Sequence, residues 1–147
     1  MKLSTRTRYG VRALLDLAIY SNGEHLQLKE IAARQKISLP YLEHLIIPLI
    51  AAGIIKSIRG ARGGIMLAKQ PQDIKINKIM EILEGPLTPV DCLRDSKSCP
   101  RSGLCAAQDI WKEMGKAMEK VLESNTLQDL VNKQKSKEVK STSMYYI

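Results

Sequence analysis

Residues 38–67 read SLPYLEHLIIPLIAAGIIKSIRGARGGIML, and this stretch decides the fold. Ser38 can cap a helix with Pro40 in its first turn, where a missing amide hydrogen costs nothing. Leu42, Leu45, Ile46 and Leu49 then recur at helical spacing up to Gly53, which suits a left-handed terminal residue. Pro48 removes the bond to the His44 carbonyl, so a kink is expected there rather than a stop. The β-branched run Ile54 to Ile58, the glycine- and arginine-bearing segment Arg59 to Gly64, and Ile65 to Leu67 follow; they predict two short strands joined by a loop.

Upstream, apolar residues at Tyr9, Val11, Leu14, Leu15, Ala18 and Ile19 predict a helix over Thr5 to Tyr20, ended by Asn22 and Gly23. A second, short helix spans Leu28 to about Gln35. Three helices and a hairpin in this order are the winged helix-turn-helix arrangement. Downstream, Asp73 to Glu84 predicts another helix, closed by Gly85 and Pro86. From Leu104, apolar residues at Ala107, Ile110, Trp111, Met114, Ala117, Met118, Val121 and Leu122 predict a long helix that needs a partner. Thr126 to Asp129 carries a capping signature for a last short helix, and Lys133 to Ser143 is polar. The fold class expected is mainly α with a small β-hairpin. A winged helix-turn-helix domain fills residues 1–85, a loop 86–106, the dimerisation and C-terminal helices 107–134, and a flexible tail 135–147.

The chain has 147 residues and a formal charge of +8. Residues 1–90 hold 13 Lys and Arg against 7 acids, and residues 91–147 hold 10 against 8, so the basic excess is N-terminal. Such a surface attracts polyanions, nucleic acid first. With one Trp, five Tyr and no Phe there is no aromatic platform for single strands, which leaves duplex DNA. The longest apolar stretch, Leu45 to Ile55, is broken by Pro48 and Gly53, so no membrane span is expected. The start, MKLSTR, has no apolar signal core, and a cytoplasmic chain with reduced thiols is expected.

All three cysteines, Cys92, Cys99 and Cys105, lie in one loop as C-x6-C-x5-C. An odd number crowded into a polar loop is a ligand pattern for a soft metal or iron-sulfur cluster rather than a disulfide framework. Three unrelated cysteines, or a pair that bridges under stress, are the alternatives. A fourth ligand has to come from elsewhere.

The third helix is the candidate reader of bases, through Ser38, Leu39, Tyr41, Glu43 and His44. Glu43 can accept from a cytosine amino group and His44 can meet a purine edge. In the loop after it, Arg59 and Arg62 project towards a narrow minor groove, while Gly63 and Gly64 permit close backbone approach. A phosphate-binding loop is the competing reading, but no Gly-Lys-Ser or Gly-Lys-Thr is present and the loop joins two strands. The two histidines, His25 and His44, belong to no hydrolytic motif, so an enzyme is not expected.

The opening MKLSTRTRYG, the run Ser38 to Glu43, the segment Arg59 to Gly64 and the cysteine loop together resemble the bacterial iron-sulfur cluster regulators of the IscR type over nearly the whole chain. The resemblance implies a homodimeric winged-helix transcription regulator whose long helices cross at the dimer interface. It also implies a cluster, usually 2Fe-2S, held by Cys92, Cys99 and Cys105 plus one further residue. Relatives place a histidine three residues after the last cysteine, where this chain has Gln108; others use an acid of the partner's first helix, where the matching position holds Arg8. The segment Glu84 to Val90 and the end Met144-Tyr145-Tyr146-Ile147 are similar to the cysteine-metabolism repressors of the CymR type, which lack the cysteine loop. That likeness implies docking of Tyr146 and Ile147 into cysteine synthase; otherwise the end folds back over an apolar groove of the dimer. The sequence thus supports a cluster-sensing regulator or a repressor of sulfur metabolism. A redox or cluster carrier explains the thiols but neither the wing nor the basic N-terminal half.

Overall fold

The computed structural model describes residues 2–145. Helix α1 (Thr5–Tyr20) starts where the Ser4 hydroxyl oxygen accepts from the Thr7 amide at 3.1 Å. Helix α2 (Leu28–Gln35) is held at its start by the Gln27 amide donating to Glu30, 2.9 Å. Lys36 ends it in a left-handed conformation, φ 53°, so that the chain turns at once into Ser38, the cap of α3 (Leu39–Ala51). Helix α3 runs through Pro48 and closes on Gly53, φ 72°. There the amides of Gly53 and Ile54 donate back to the carbonyls of Ile50 and Leu49, each at 3.0 Å.

Strands β1 (Ile55–Ile58) and β2 (Gly64–Leu67) pair antiparallel, with Ile55 opposite Leu67 and Ile58 opposite Gly64. A third piece of backbone joins this sheet, because Leu26 and Ile65 exchange both amide-carbonyl bonds at 2.8 Å. Helix α4 (Ile76–Glu84) follows a single 3-10 turn at Pro71–Asp73. It begins later than the sequence predicts because Ile74 is extended and its carbonyl accepts from the Leu127 amide, 2.8 Å. Helices α5 (Ala106–Glu123) and α6 (Leu127–Met144) complete the chain.

One core joins these elements. Leu14 and Leu17 of α1, Ile31 of α2, Leu42, Leu45 and Leu49 of α3, Ile55 and Ile65 of the hairpin, Ile79 of α4 and Leu127 of α6 are all essentially fully buried. Each such side chain is stabilising by about 1.5 to 3 kcal/mol relative to exposure. Beneath this layer Asp16 is buried as well. It accepts two bonds from Arg34 Nε, one at 2.6 Å from Arg34 Nη2 and one at 2.8 Å from Gln35 Nε2, which fixes α2 against α1.

The expected short last helix and flexible tail over 135–147 need correction, since α6 continues to Met144. Thr126 and Asp129 form the capping box, with the Thr126 amide donating to Asp129 at 2.8 Å. No Gly or Pro interrupts the following turns, and their Lys, Gln and Glu residues are good helix formers. Polarity in this segment marks an exposed helix, with Gln134 bonded to Glu138 one turn on. Tyr146 and Ile147 lie outside the described residues.

Candidate nucleic-acid interface and cysteine loop

The cap at Ser38 and the turn at Lys36 set α3 across α2, so that Leu42, Leu45, Ile46 and Leu49 face the core. Ser38, Leu39, Glu43 and His44 are consequently exposed. Tyr41 differs from them. It is half-buried, packs against the core and meets Tyr9 edge to face, ring centroids 6.1 Å apart. Of the five α3 positions read from the sequence as base contacts, Tyr41 therefore also braces α3 against α1.

The wing is a tight turn in which the Gly63 amide donates to the Gly60 carbonyl at 3.0 Å, with Gly60 at φ 114°. Arg59 and Arg62 are exposed, and among the described residues neither is in an ion pair. Gly63 and Gly64 have a structural reason of their own. A Cβ on Gly63 would overlap the Ile58 carbonyl oxygen, and one on Gly64 would overlap that of Leu26. Glu43, Gly63 and Gly64 line one groove of about 350 Å³, so the structure brings the third helix and the wing together.

Sequence reasoning missed His25. Its Nε2 donates to the Arg62 carbonyl oxygen at 2.6 Å and backs the wing from a position 37 residues earlier. A lone histidine in a turn carries no pattern that points to such a contact.

Cys92, Cys99 and Cys105 are free and half-buried in a loop shaped by 3-10 turns at Asp91–Leu93 and Ser96–Ser98. Gln108, in the first turn of α5 and 8% exposed, donates from Nε2 to the Cys92 carbonyl at 3.3 Å and to the Ser102 hydroxyl at 3.2 Å. It bolts the loop to the helix. The donor set, three uncommitted thiols on one short loop, has the chemistry of a cluster site. Among the described residues no three His, Cys, Asp or Glu side chains are positioned to hold a single metal ion.

Helix α5 carries an apolar stripe that the described residues leave uncovered. Ile110, Trp111, Met114 and Val121 are exposed, and Gln108 is the only α5 residue buried. No helix among the described residues is long and apolar enough to cross a membrane.

Comparison with known proteins agrees with this geometry. Residues 3–133 match the Rrf2 family, described as iron-dependent transcriptional regulators. The chain is 44% identical over 131 residues to protein rrf2 of Nitratidesulfovibrio vulgaris, covering 89% of this chain and 87% of that protein. The solved structure of CymR, the global cysteine regulator of Bacillus subtilis, is 39% identical and superposes with a TM-score of 0.76 over 90% of this chain and 97% of that one. IscR of T. potens, 40% identical, gives 0.75 over 91% and 88%. These relatives are regulators of transcription and not enzymes. With its three-helix reader, its wing and this similarity along nearly its full length, the chain belongs to the Rrf2 family of DNA-binding transcriptional regulators.

Proposed function

We propose that the protein binds palindromic operators as a homodimer and that its cysteine loop senses iron-sulfur cluster or redox status. One observation carries the reading: three free thiols lie in a loop bolted by Gln108 to the first turn of α5, whose apolar stripe lies uncovered. A rearrangement of the loop therefore acts on the helix best suited to join two subunits. Cys92, Cys99 and Cys105 would hold the cluster, of the 2Fe-2S class by family likeness. When bound, it would supply a redox centre whose potential is set by cluster type, hydrogen bonds to its sulfurs and solvent exposure. The chain's own part is to close the loop with Gln108 and to transmit its position through α5 to the two readers.

Anaerobic purification with absorption spectra and iron and sulfide analysis tests this, followed by operator binding with and without the cluster. Single Ala replacements of Cys92, Cys99 and Cys105 should each abolish the visible absorption. Full iron and sulfide content in the triple variant contradicts the assignment.

The likeness to CymR supports a second reading, a repressor of cysteine or sulfur metabolism that acts with cysteine synthase through Tyr146 and Ile147. Titration with cysteine synthase, using the full chain and a chain lacking those two residues, separates the readings. Equal binding by both chains, or binding by neither, removes the second.

A further inference from the structure

We propose that the outward face of α3 selects operators by the C5-methyl groups of thymine, with Ile47 as the specificity-determining residue. The inference rests on the DNA-binding reading above and adds the chemistry of the base it prefers.

Leu39, Glu43, Ile47 and Ile50 are spaced by four, four and three residues and so share one face of α3, opposite the core-facing Leu42, Leu45 and Leu49. Three of these four outward residues are aliphatic. Ile47 is 61% exposed, and Leu39 and Ile50 are exposed too. Ile58, at the end of β1 and immediately before Arg59, is exposed into the same groove, which Glu43 opens and Gly63 and Gly64 close. An aliphatic strip thus lies between the carboxylate of the reading helix and the glycines of the wing.

Its occupant follows from continuity and charge. Arg59 and Arg62 adjoin the strip in sequence, in no ion pair among the described residues, on a chain of net charge +8 whose basic excess lies in this half. A protein laid over the strip has to desolvate those guanidinium groups, whereas duplex DNA neutralises them with phosphates. Within the major groove most base-edge groups are polar and lose hydrogen bonds to water against isoleucine. Thymine's methyl is the apolar exception.

Selection of duplexes from a randomised pool by the full-length protein should enrich thymine at one or two positions beside those that Glu43→Ala relaxes. Replacing each such thymine by deoxyuridine removes only the methyl and should weaken binding about fourfold per methyl, the equivalent of about 0.8 kcal/mol for one buried carbon. Ile47→Ala should bind thymine and deoxyuridine sites alike, with circular dichroism and melting unchanged because the side chain stands outside the core. Enrichment without thymine, indifference of the wild type to deoxyuridine, or retained discrimination in Ile47→Ala each overturns the inference while leaving the regulator reading intact. A change of oligomeric state in Ile47→Ala with no deoxyuridine effect makes the strip a protein contact and also overturns it. A pool in which no duplex is enriched removes the DNA reading itself, and the inference with it.

Discussion

His25 reaches across from the turn before α2 and donates a 2.6 Å hydrogen bond from Nε2 to the carbonyl oxygen of Arg62, at the tip of the wing. A carbonyl can only accept, so Nε2 carries a proton in this contact. The bond leaves the Arg62 side chain free while fixing the backbone that carries it. A hydrogen bond of this kind contributes about 1 kcal/mol, so His25→Ala should weaken operator binding roughly fivefold. His25→Gln, which keeps an amide donor at similar reach, should recover most of that. In an Arg62→Ala background the His25 change should have little further effect; additive losses would show that His25 does not act through the wing.

Gly63 and Gly64 were read from the sequence as DNA contacts, and the structure gives them a prior duty. The backbone of the wing closes against Ile58 and Leu26 with no room for a side chain. Gly64→Ala must push apart two backbone segments that exchange hydrogen bonds at 2.8 Å between Leu26 and Ile65. The expected cost is about 2 to 4 kcal/mol. It should appear as a lowered melting temperature together with lost operator binding, whereas Arg59→Ala should lose binding, by about 1 to 3 kcal/mol, with melting unchanged. A Gly64→Ala protein that melts like the wild type contradicts the packing account.

Much of this half of the molecule was legible because its signals are local. Ser38, Gly53 and the spacing of Leu42, Leu45, Ile46 and Leu49 fix where α3 starts, ends and faces without reference to any other segment. What stayed hidden depends on residues distant in the chain. The pairing of Leu26 with Ile65 is a single bridge with no alternating pattern to announce it. Asp16 stands beside an apolar stripe and reads as a solvated residue until Arg34 and Gln35 fold over it. In the C-terminal segment polarity marks solvent exposure rather than lack of order, and the capping box at Thr126 is the local signal of a helix. Gln108 stood out in the sequence as a missing ligand, and its two bonds to the loop became visible only in the fold.

The Asp16–Arg34 pair sets a stability prediction. The Asp16 side chain is 0% exposed and the guanidinium 33%, stacked over Tyr20 at 4.5 Å. Arg34→Ala leaves a buried carboxylate with Gln35 alone. The cost should be about 2 to 3 kcal/mol in urea unfolding, below that of a fully buried pair because the arginine is partly solvated. Arg34→Lys should recover only part, since an ammonium cannot make the two-pronged contact. A loss under about 0.5 kcal/mol for Arg34→Ala, the range of an ordinary surface change, contradicts this role.

Glu84 joins the end of α4 to the start of α1. Hydrogen bonds from Ser4, then from Thr7, hold its carboxyl below the ordinary glutamate range. A group depressed in the folded state contributes stability above its unfolded pKa, about 4.3, and loses it as pH falls through the folded value. At pH 7 Glu84→Gln should therefore melt slightly below the wild type. The gap should close on acidification from pH 5 towards 3, as wild-type Glu84 takes up a proton. A gap that stays constant over that interval shows that the carboxylate contributes nothing through its charge.

Helix α5 gives the prediction that reaches furthest into function. Ile110 and Val121 are 54% and 61% exposed on a stripe that no other element among the described residues covers. Two copies of this stripe can bury each other, and two readers on one palindrome supply the contact area that a single wing and helix lack. Ile110→Glu together with Val121→Glu should give a monomer at micromolar concentration in analytical ultracentrifugation, with helical content preserved because neither residue supports the core. Operator affinity should fall at least ~100-fold, since each monomer then meets only one half-site. Trp111 lies on the same stripe and is the chain's one tryptophan, so its emission should shift to the red in the double variant. A double variant that stays dimeric and keeps full operator affinity would move the subunit interface off α5.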